Sequence, residues 1–333
     1  MSTLLIAEIA QAHEGSLGIL HSYVDALAAT GIDAVKFQTH IAEAESSLAE
    51  PFRVRFSYED DTRYDYWKRM SFTAEQWKGI KKHCDEAGVE FISSPFSQTA
   101  VELLEDLEVE RYKIASGEVT NFLMLEKIAR TGKPIILSSG MSSYTELDAA
   151  IDFLRPFGNE LSLLQCTTSY PTPPERIGFN VLAEMQTRYP ELAIGLSEHT
   201  SEIFTGLAAV AQGAKILEFH AVFDKRMFGP DAKSSLSIDQ IAELVRGVRF
   251  LEKALANPVD KYDNSAYVGL KAIFEKSLAV RQDLPAGHEL TFDDLETKKP
   301  AGQGLPASSF RELLGRPLKR AKKKYEFLTA EDI

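Results

Sequence analysis

Two histidines and two lysines stand where this chain could do chemistry. His199 closes the run LAIGLSEH and His220 closes KILEFH, each after a mostly apolar stretch. Two imidazoles brought side by side can hold a divalent metal, with water or substrate filling the other positions. The alternative is two histidines satisfied separately. Lys36 (AVKFQ) and Lys113 (YKIASGE) interrupt apolar runs. A buried ammonium is costly unless it meets an anion. One such lysine could form a Schiff base. Two of them, with Ser94, Ser116, Ser138 and Ser197 as hydroxyl donors, suit a cradle for a phosphate and a carboxylate. A lysine–glutamate pair through Glu8 or Glu118 would account for them as well. Glu8, Glu118, Glu218 and Asp231 are the acidic candidates for proton transfer or for binding hydroxyls.

These side chains need elements that make them converge. Eight short β-type runs cover residues 4–9, 33–38, 89–94, 112–117, 134–139, 161–167, 192–197 and 215–220. Between most of them lie amphipathic stretches with helical spacing, at 18–30, 74–87, 100–107, 124–131 and 143–157. Strands alternating with helices imply parallel pairing, and eight of them imply an α/β fold of the (β/α)8 (TIM) barrel type. The runs are apolar throughout, as expected where both sheet faces are covered. In such a barrel the active site forms at the C-terminal ends of the strands. Those ends carry Glu8, Lys36 and Gln38, Ser94, Lys113 with Ser116 and Glu118, Ser138, Thr167 and Tyr170, Ser197 and His199, and Glu218 and His220.

Two stretches break the rhythm. Residues 41–71 include FRVRFSYEDDTRYDYWKRM, rich in aromatics and charge; a long βα insertion is either a lid or substrate loop, or a surface excursion packed by its own aromatics. After Ala254, ANPVDKYDNSAY reads as a linker. The tail then shows short strands, a PAG turn and repeated leucines, the pattern of a small β-rich domain that must gain stability by docking. Its basic run LKRAKKK (Leu318 to Lys324) reads as a solvated edge.

Bulk properties exclude several classes. The chain has 333 residues, 44% of them hydrophobic, and a net charge of −12. That balance argues against a nucleic-acid binder, which needs clustered cations. No apolar run reaches membrane-spanning length, so no membrane partner is expected. The N-terminus enters a strand directly, with no leader pattern. Cys84 and Cys166 are the only cysteines and fit a reducing cytoplasm better than a disulfide framework.

Taken in order, AEIAQAHEGS, AVKFQTH, FISSPFS, YKIASGE, ILSSGM, CTTSYPTP, IGLSEHT and ILEFHAVFDKRMFGPD resemble the N-acetylneuraminate (sialic acid) synthase family, and the tail resembles the antifreeze-like, or SAF, domain that ends those enzymes. The resemblance covers nearly the whole chain. It implies a barrel over 1–257, a linker over 258–275, and a β-clip SAF domain over 276–333. It also implies a domain-swapped homodimer in which each SAF domain caps its partner's barrel. The implied reaction joins phosphoenolpyruvate, an N-acylated hexose and water into a nine-carbon 2-keto acid, with release of phosphate. Carried over by motif, Lys36, Ser94, Lys113, Ser116, Ser138, Thr168 and Ser197 hold phosphoenolpyruvate. His199 and His220 bind a divalent metal, Mn2+ or Mg2+. Glu8, Gln38, Tyr170 and Asp231 face the sugar, and Glu118 stands near the reacting carbons. Two positions depart from the sialic acid pattern: Thr168 replaces an asparagine, and Lys299 replaces an arginine thought to meet the N-acetyl group. Lysine lacks the planar fork of arginine, so the resemblance implies as acceptor either N-acetylmannosamine or a 2,4-diacetamido sugar leading to legionaminate or pseudaminate. The competing readings are a synthase for a phosphorylated sugar (Kdo-8-phosphate or DAHP type), which the tail argues against, and a non-catalytic carbohydrate-binding barrel, which the intact histidines, lysines and Glu118 argue against.

Overall fold

The eight apolar runs form eight parallel strands. In this computed structural model, which describes residues 2–52 and 58–333, they are β1 (Leu4–Glu8), β2 (Ala34–Thr39), β3 (Glu90–Pro95), β4 (Tyr112–Ile114), β5 (Ile135–Ser138), β6 (Leu161–Cys166), β7 (Ala193–Glu198) and β8 (Ile216–Val222). They pair in chain order, and β1 also pairs with β8. The sheet is closed, as a (β/α)8 barrel requires. A two-residue strand, β9 (Leu236–Ser237), adds to the end of β8.

The barrel unit, Met1–Asn257, carries α1 (Leu17–Ala28), α2 (Ala42–Glu45), α3 (Arg63–Met70), α4 (Ala74–Ala87), α5 (Gln98–Asp106), α6 (Phe122–Ala129), α7 (Tyr144–Leu154), α8 (Phe179–Arg188), α9 (Ile203–Ala211) and α10 (Ile238–Leu255). Local sequence sets their ends. Thr73 with Gln76, Ser143 with Glu146 and Ser237 with Gln240 form capping boxes that start α4, α7 and α10. Gly88 ends α4 at φ +74°, a left-handed cap that glycine adopts without strain.

Strand parity decides what the barrel holds. Leu5, Ala7, Val35, Phe37, Tyr112, Ile114, Leu217 and Phe219 pack outward in the layer under the helices. The alternate residues Ile6, Ala34, Ile92, Ile136, Leu164 and Ile216 form a separate cluster inside the barrel. Two residues further along, the same inward parity presents Glu8, Lys36, Ser94, Ser138 and Glu218. Both faces of the strands are buried, but only the lower inward layer is apolar. The upper inward layer is polar, which is why Lys113 sits inside an apolar run, between outward-facing Tyr112 and Ile114.

Two expectations change in detail. The run at 112–117 ends as a strand at Ile114, and Ser116–Glu118 form a 3-10 turn closed by Glu118 N–H donating to the Ala115 carbonyl (2.9 Å). In the insertion, Ala42, Tyr66, Trp67 and Met70 make their own buried cluster. That is the self-packed excursion, yet Arg63, Tyr66 and Trp67 also border the central cavity, as a substrate loop would. Its residues 53–57 lie outside the described residues.

The second unit, Pro258–Ile333, has a core of Leu278, Val280, Leu284, Leu290, Leu313, Leu318, Leu328 and Ile333. It holds α11 (Val268–Phe274), β10 (Ser277–Val280), β11 (Leu295–Lys298) and α12 (Phe310–Leu313). β10 and β11 pair antiparallel, and four isolated bridges extend the pairing, among them Ala279 with Phe327 and Leu284 with Lys322. Helix α11 falls within the stretch expected to be linker. The basic run is not wholly a solvated edge either. Lys322 is 4% exposed, donates to the Phe327 carbonyl at 2.8 Å and pairs with Asp332 at 2.8 Å. Burial of both partners explains the difference: an ammonium inside a small domain is tolerated when a carboxylate goes in with it.

Candidate active site

Strand register brings the sequence candidates together. Glu8 stands beside Lys36 on one side and His220 on the other. Gln38 is opposite Ser94, and Ser197 is opposite Glu218. All of them open into one inner chamber of about 220 Å³ at the C-terminal mouth of the barrel. Lys113, Ser116, Ser138, Tyr170, His199 and Asp231 line it too.

The chamber floor is a charge network. Lys36 Nζ is 2.7 Å from Glu8 Oε1 and 3.6 Å from Glu218 Oε1. Burial would push the Glu8 carboxyl up, but Lys36, together with His220 and the Gln38 amide, holds it down at about 2. Gln38 Nε2 donates to Glu8 Oε1 at 2.7 Å. Lys36, although buried, is held above the usual lysine range by Glu218 and Glu8. The lysine–glutamate pair therefore exists, through Glu8 and Glu218 and not through Glu118. Lys113 differs. Its ammonium donates to Ser138 Oγ (2.6 Å) and to the Ile114 carbonyl (3.0 Å) and comes only within 3.8 Å of Glu218. Burial, with Lys36 nearby, pulls its pKa below the ordinary lysine value despite Glu218. Lys113 is thus held at close range by a hydroxyl and a carbonyl, with its nearest carboxylate at the edge of ion-pair distance. Ser94 Oγ and Glu218 Oε2 are buried without a hydrogen-bond partner. Unsatisfied polar atoms beside a buried lysine that has no close carboxylate mark a site built for a polar ligand.

An outer chamber of about 420 Å³ shares Gln38, Ser116 and Tyr170 with the inner one and adds Glu118 and Thr168. Together the two chambers have the size of a small-molecule site, roughly 300–1,000 Å³. Burial raises the Glu118 pKa above the usual carboxylate range, although its Oε2 accepts from Asn121 Nδ2 at 2.7 Å. Gly140 is required where it stands. A Cβ there would lie 2.4 Å from both Ser116 Oγ and Thr168 Oγ1, so bare backbone leaves these two hydroxyls room to converge. Thr167 turns elsewhere, and its hydroxyl donates to the Arg176 carbonyl at 2.7 Å.

The two histidines meet as expected. Their ring centroids are 5.3 Å apart, and Tyr170 lies 4.2 Å from His199 and 6.0 Å from His220. His199 Nδ1 is 3.1 Å from the Thr167 carbonyl. A carbonyl only accepts, so Nδ1 carries a proton and Nε2 is the nitrogen left to ligate, the second-shell arrangement common to metal-binding histidines. His220 Nε2 is 3.6 Å from Glu8 Oε2. Among the described residues no group of three or more His, Cys, Asp or Glu is arranged to hold a metal. Two imidazoles with open positions nevertheless fit a cation that keeps water and substrate oxygens as its other ligands.

Comparison with known proteins gives this geometry its context. Residues 23–260 match the NeuB family model, and residues 275–333 match the SAF domain. The chain belongs to the NeuB family. It is 33% identical to human N-acetylneuraminate-9-phosphate synthase over 94% of this chain and 87% of that one. It is 32% identical to Campylobacter jejuni N,N'-diacetyllegionaminic acid synthase over 94% and 95%. The crystal structure of Leptospira borgpetersenii N-acetylneuraminic acid synthetase in complex with citrate superposes with a TM-score of 0.72 at 27% identity, over 81% of this chain and 91% of that chain. Curated members of the family include sialic, legionaminic and pseudaminic acid synthases.

Within this NeuB family chain, some lining residues escape sequence reading. Gln11 donates to Gln38 Oε1 at 3.1 Å from the loop after β1. Cys166 borders the inner chamber, and His199 and Lys113 outweigh its burial to lower its thiol pKa. Arg63 borders both chambers from the insertion, paired with Glu50 at 3.1 Å. Strand-end position could have flagged Cys166, but no local pattern points to Arg63. Lys299 belongs to the second unit, where its ammonium lies 4.9 Å from the Phe274 ring centroid.

Proposed function

We propose that this chain condenses phosphoenolpyruvate with an N-acylated hexose, N-acetylmannosamine or a related 2,4-diacetamido sugar, and water, giving a nine-carbon 2-keto acid and phosphate. The observation that carries the reading is Lys113, a buried lysine held by Ser138 Oγ and the Ile114 carbonyl with its nearest carboxylate 3.8 Å away, in the chamber where Ser94 Oγ is buried without a partner. A small ligand with a phosphate and a carboxylate supplies negative charge there. Lys36 and Lys113 neutralise it, and Ser94, Ser116, Ser138, Ser197 and Thr168 donate to its oxygens. Glu8 balances Lys36 and fixes the Gln38 amide, so that Gln38, Tyr170 and Asp231 border the acceptor with Glu8 behind them.

In the reaction C3 of phosphoenolpyruvate bonds to the aldehyde carbon of the sugar, and a proton goes to the aldehyde oxygen. Water adds at C2. The C2–O bond to phosphorus breaks, phosphate leaves, and C2 becomes a carbonyl. His199 and His220 are the residues that would hold Mn2+ or Mg2+, which as a Lewis acid polarises the aldehyde oxygen. Glu118, kept above the usual carboxylate range by burial, can hold and release a proton beside that oxygen.

The test is phosphate release from phosphoenolpyruvate with Mn2+ across a panel of N-acetylmannosamine, mannose, the two diacetamido-trideoxy hexoses and arabinose 5-phosphate. Release with an N-acyl hexose and not with arabinose 5-phosphate is expected. Silence across the panel from folded, metal-loaded protein would leave a carbohydrate-binding barrel as the better account.

We place the segment at 258–275 as the linker of a domain-swapped homodimer, in which Lys299 reaches the partner's acceptor. The exposed side chains of Val268, Leu270, Ile273 and Phe274 support this, since an apolar helix face of that kind calls for cover. Light scattering should give twice the chain mass of 37.0 kDa; a monomer would remove the swap. Two free cysteines accord with a cytoplasmic location. No helix of the described residues is long and apolar enough to cross a membrane.

A further inference from the structure

The outer chamber carries a carboxylate that the condensation as drawn does not use. Glu45 ends α2, and its side chain is only 7% exposed. Its Oε1 lies 2.7 Å from His40 Nδ1, and His40 Nε2 lies 3.1 Å from Gln38 Oε1. The imidazole is clamped face to face between Trp67 (3.8 Å, 17°) and Phe96 (4.3 Å, 13°). It cannot turn to offer Glu45 anything more. The second oxygen, Oε2, is buried without a hydrogen-bond partner, on a residue that lines the outer chamber. A buried carboxylate oxygen left without a donor is costly, so its place beside a cavity points to a donor that arrives with the ligand. Glu118 borders the same chamber and feels the charge of Glu45. The Arg63 guanidinium is stacked over Trp67, and its Nε, 3.1 Å from Glu50 Oε1, makes no well-formed hydrogen bond. Among the described lining residues, carboxylates therefore outnumber cations.

We infer that Glu45 is a specificity-determining residue of the acceptor subsite: Oε2 receives a hydrogen bond from a hydroxyl or amide N–H of an acceptor sugar that carries no phosphate, with His40 as the positioning residue. The inference rests on the proposed condensation. A hydroxyl or an N-acyl N–H satisfies Oε2. A phosphate brings only acceptors and two negative charges to a wall that already holds Glu45 and Glu118. Sequence identity does not choose between these classes: it is 33% to a relative named for a 9-phosphate and 32% to one named for a legionaminic acid.

The test compares wild type with Glu45→Gln. Glutamine keeps the size and the bond from His40 but puts an NH2 donor where Oε2 stands. Phosphate release is measured with the unphosphorylated panel sugars and with N-acetylmannosamine 6-phosphate, and the KM for phosphoenolpyruvate is followed in parallel. Wild type should use its best unphosphorylated sugar at least about tenfold better than the 6-phosphate. Glu45→Gln should raise the KM for that sugar by about tenfold, the scale of one hydrogen bond to a charged group. It should leave the KM for phosphoenolpyruvate within about twofold and narrow the discrimination against phosphate. Preference of the wild type for the 6-phosphate, or a Gln variant with unchanged acceptor KM and discrimination, would overturn the inference and leave the condensation standing. Silence of the wild type with every acceptor would overturn the condensation itself. Should the variant fail to fold, the wild-type comparison alone still decides.

Discussion

Lys113→Met should lower turnover on the order of a thousandfold or more while the protein still folds. The ammonium is held by Ser138 Oγ and the Ile114 carbonyl and is 2% exposed, so it cannot be replaced by solvent. Loss of one preorganised group that meets developing charge typically costs about 10²- to 10³-fold, and here the same cation also binds the ground-state anion. Met is close to Lys in length and fills the space with apolar atoms, which a barrel interior accepts. Glu218 keeps Lys36 at 3.6 Å and the Ser197 hydroxyl at 3.2 Å, so it is not left as a bare buried charge. Steady-state kinetics, calorimetric titration with phosphoenolpyruvate and a thermal melt separate these effects. A folded variant with near-normal kcat/KM and unchanged affinity for phosphoenolpyruvate would take Lys113 out of the anion cradle.

Removal of divalent metal is expected to have an effect of similar size. Treatment with a chelator should stop phosphate release, and Mn2+ or Mg2+ should restore it. His199→Ala and His220→Ala should each weaken Mn2+ binding by about 10-fold or more, measured by titration calorimetry without substrate. The physical ground is the orientation of His199: Nδ1–H is committed to the Thr167 carbonyl, which leaves Nε2 as the nitrogen available to a metal. Full activity in chelator, or Mn2+ affinity unaltered in both variants, would count against the two histidines as the metal site.

Much of the candidate site was legible because a parallel barrel translates sequence position into place. A strand-end residue of inward parity faces the mouth, and register then decides its neighbours. Glu8, Lys36, Ser94, Lys113, Ser138, Ser197, His199 and His220 were all found in this way, and all border one chamber. Less legible were residues whose place depends on loops. Arg63 and Trp67 reach the cavity from an insertion whose path no periodicity describes. Glu45 matters only because the Trp67–His40–Phe96 stack holds the neighbouring imidazole still. Thr167 and Thr168 are adjacent in sequence, yet one donates to the Arg176 carbonyl and the other borders the outer chamber. Lys322 looked like surface charge because its partner, Asp332, lies ten residues further along.

The sequence by itself determined the eight strands, their parallel order, the polar rim and the family, since apolar period, strand-end chemistry and motif order are local properties of the chain. The tertiary structure alone decided the electrostatics. Whether a buried lysine is matched or left wanting depends on distances across strands: Lys36 lies 2.7 Å from Glu8, whereas Lys113 lies 3.8 Å from Glu218. Coulomb energy at low effective dielectric changes steeply over such a span, and no spacing along one strand records it.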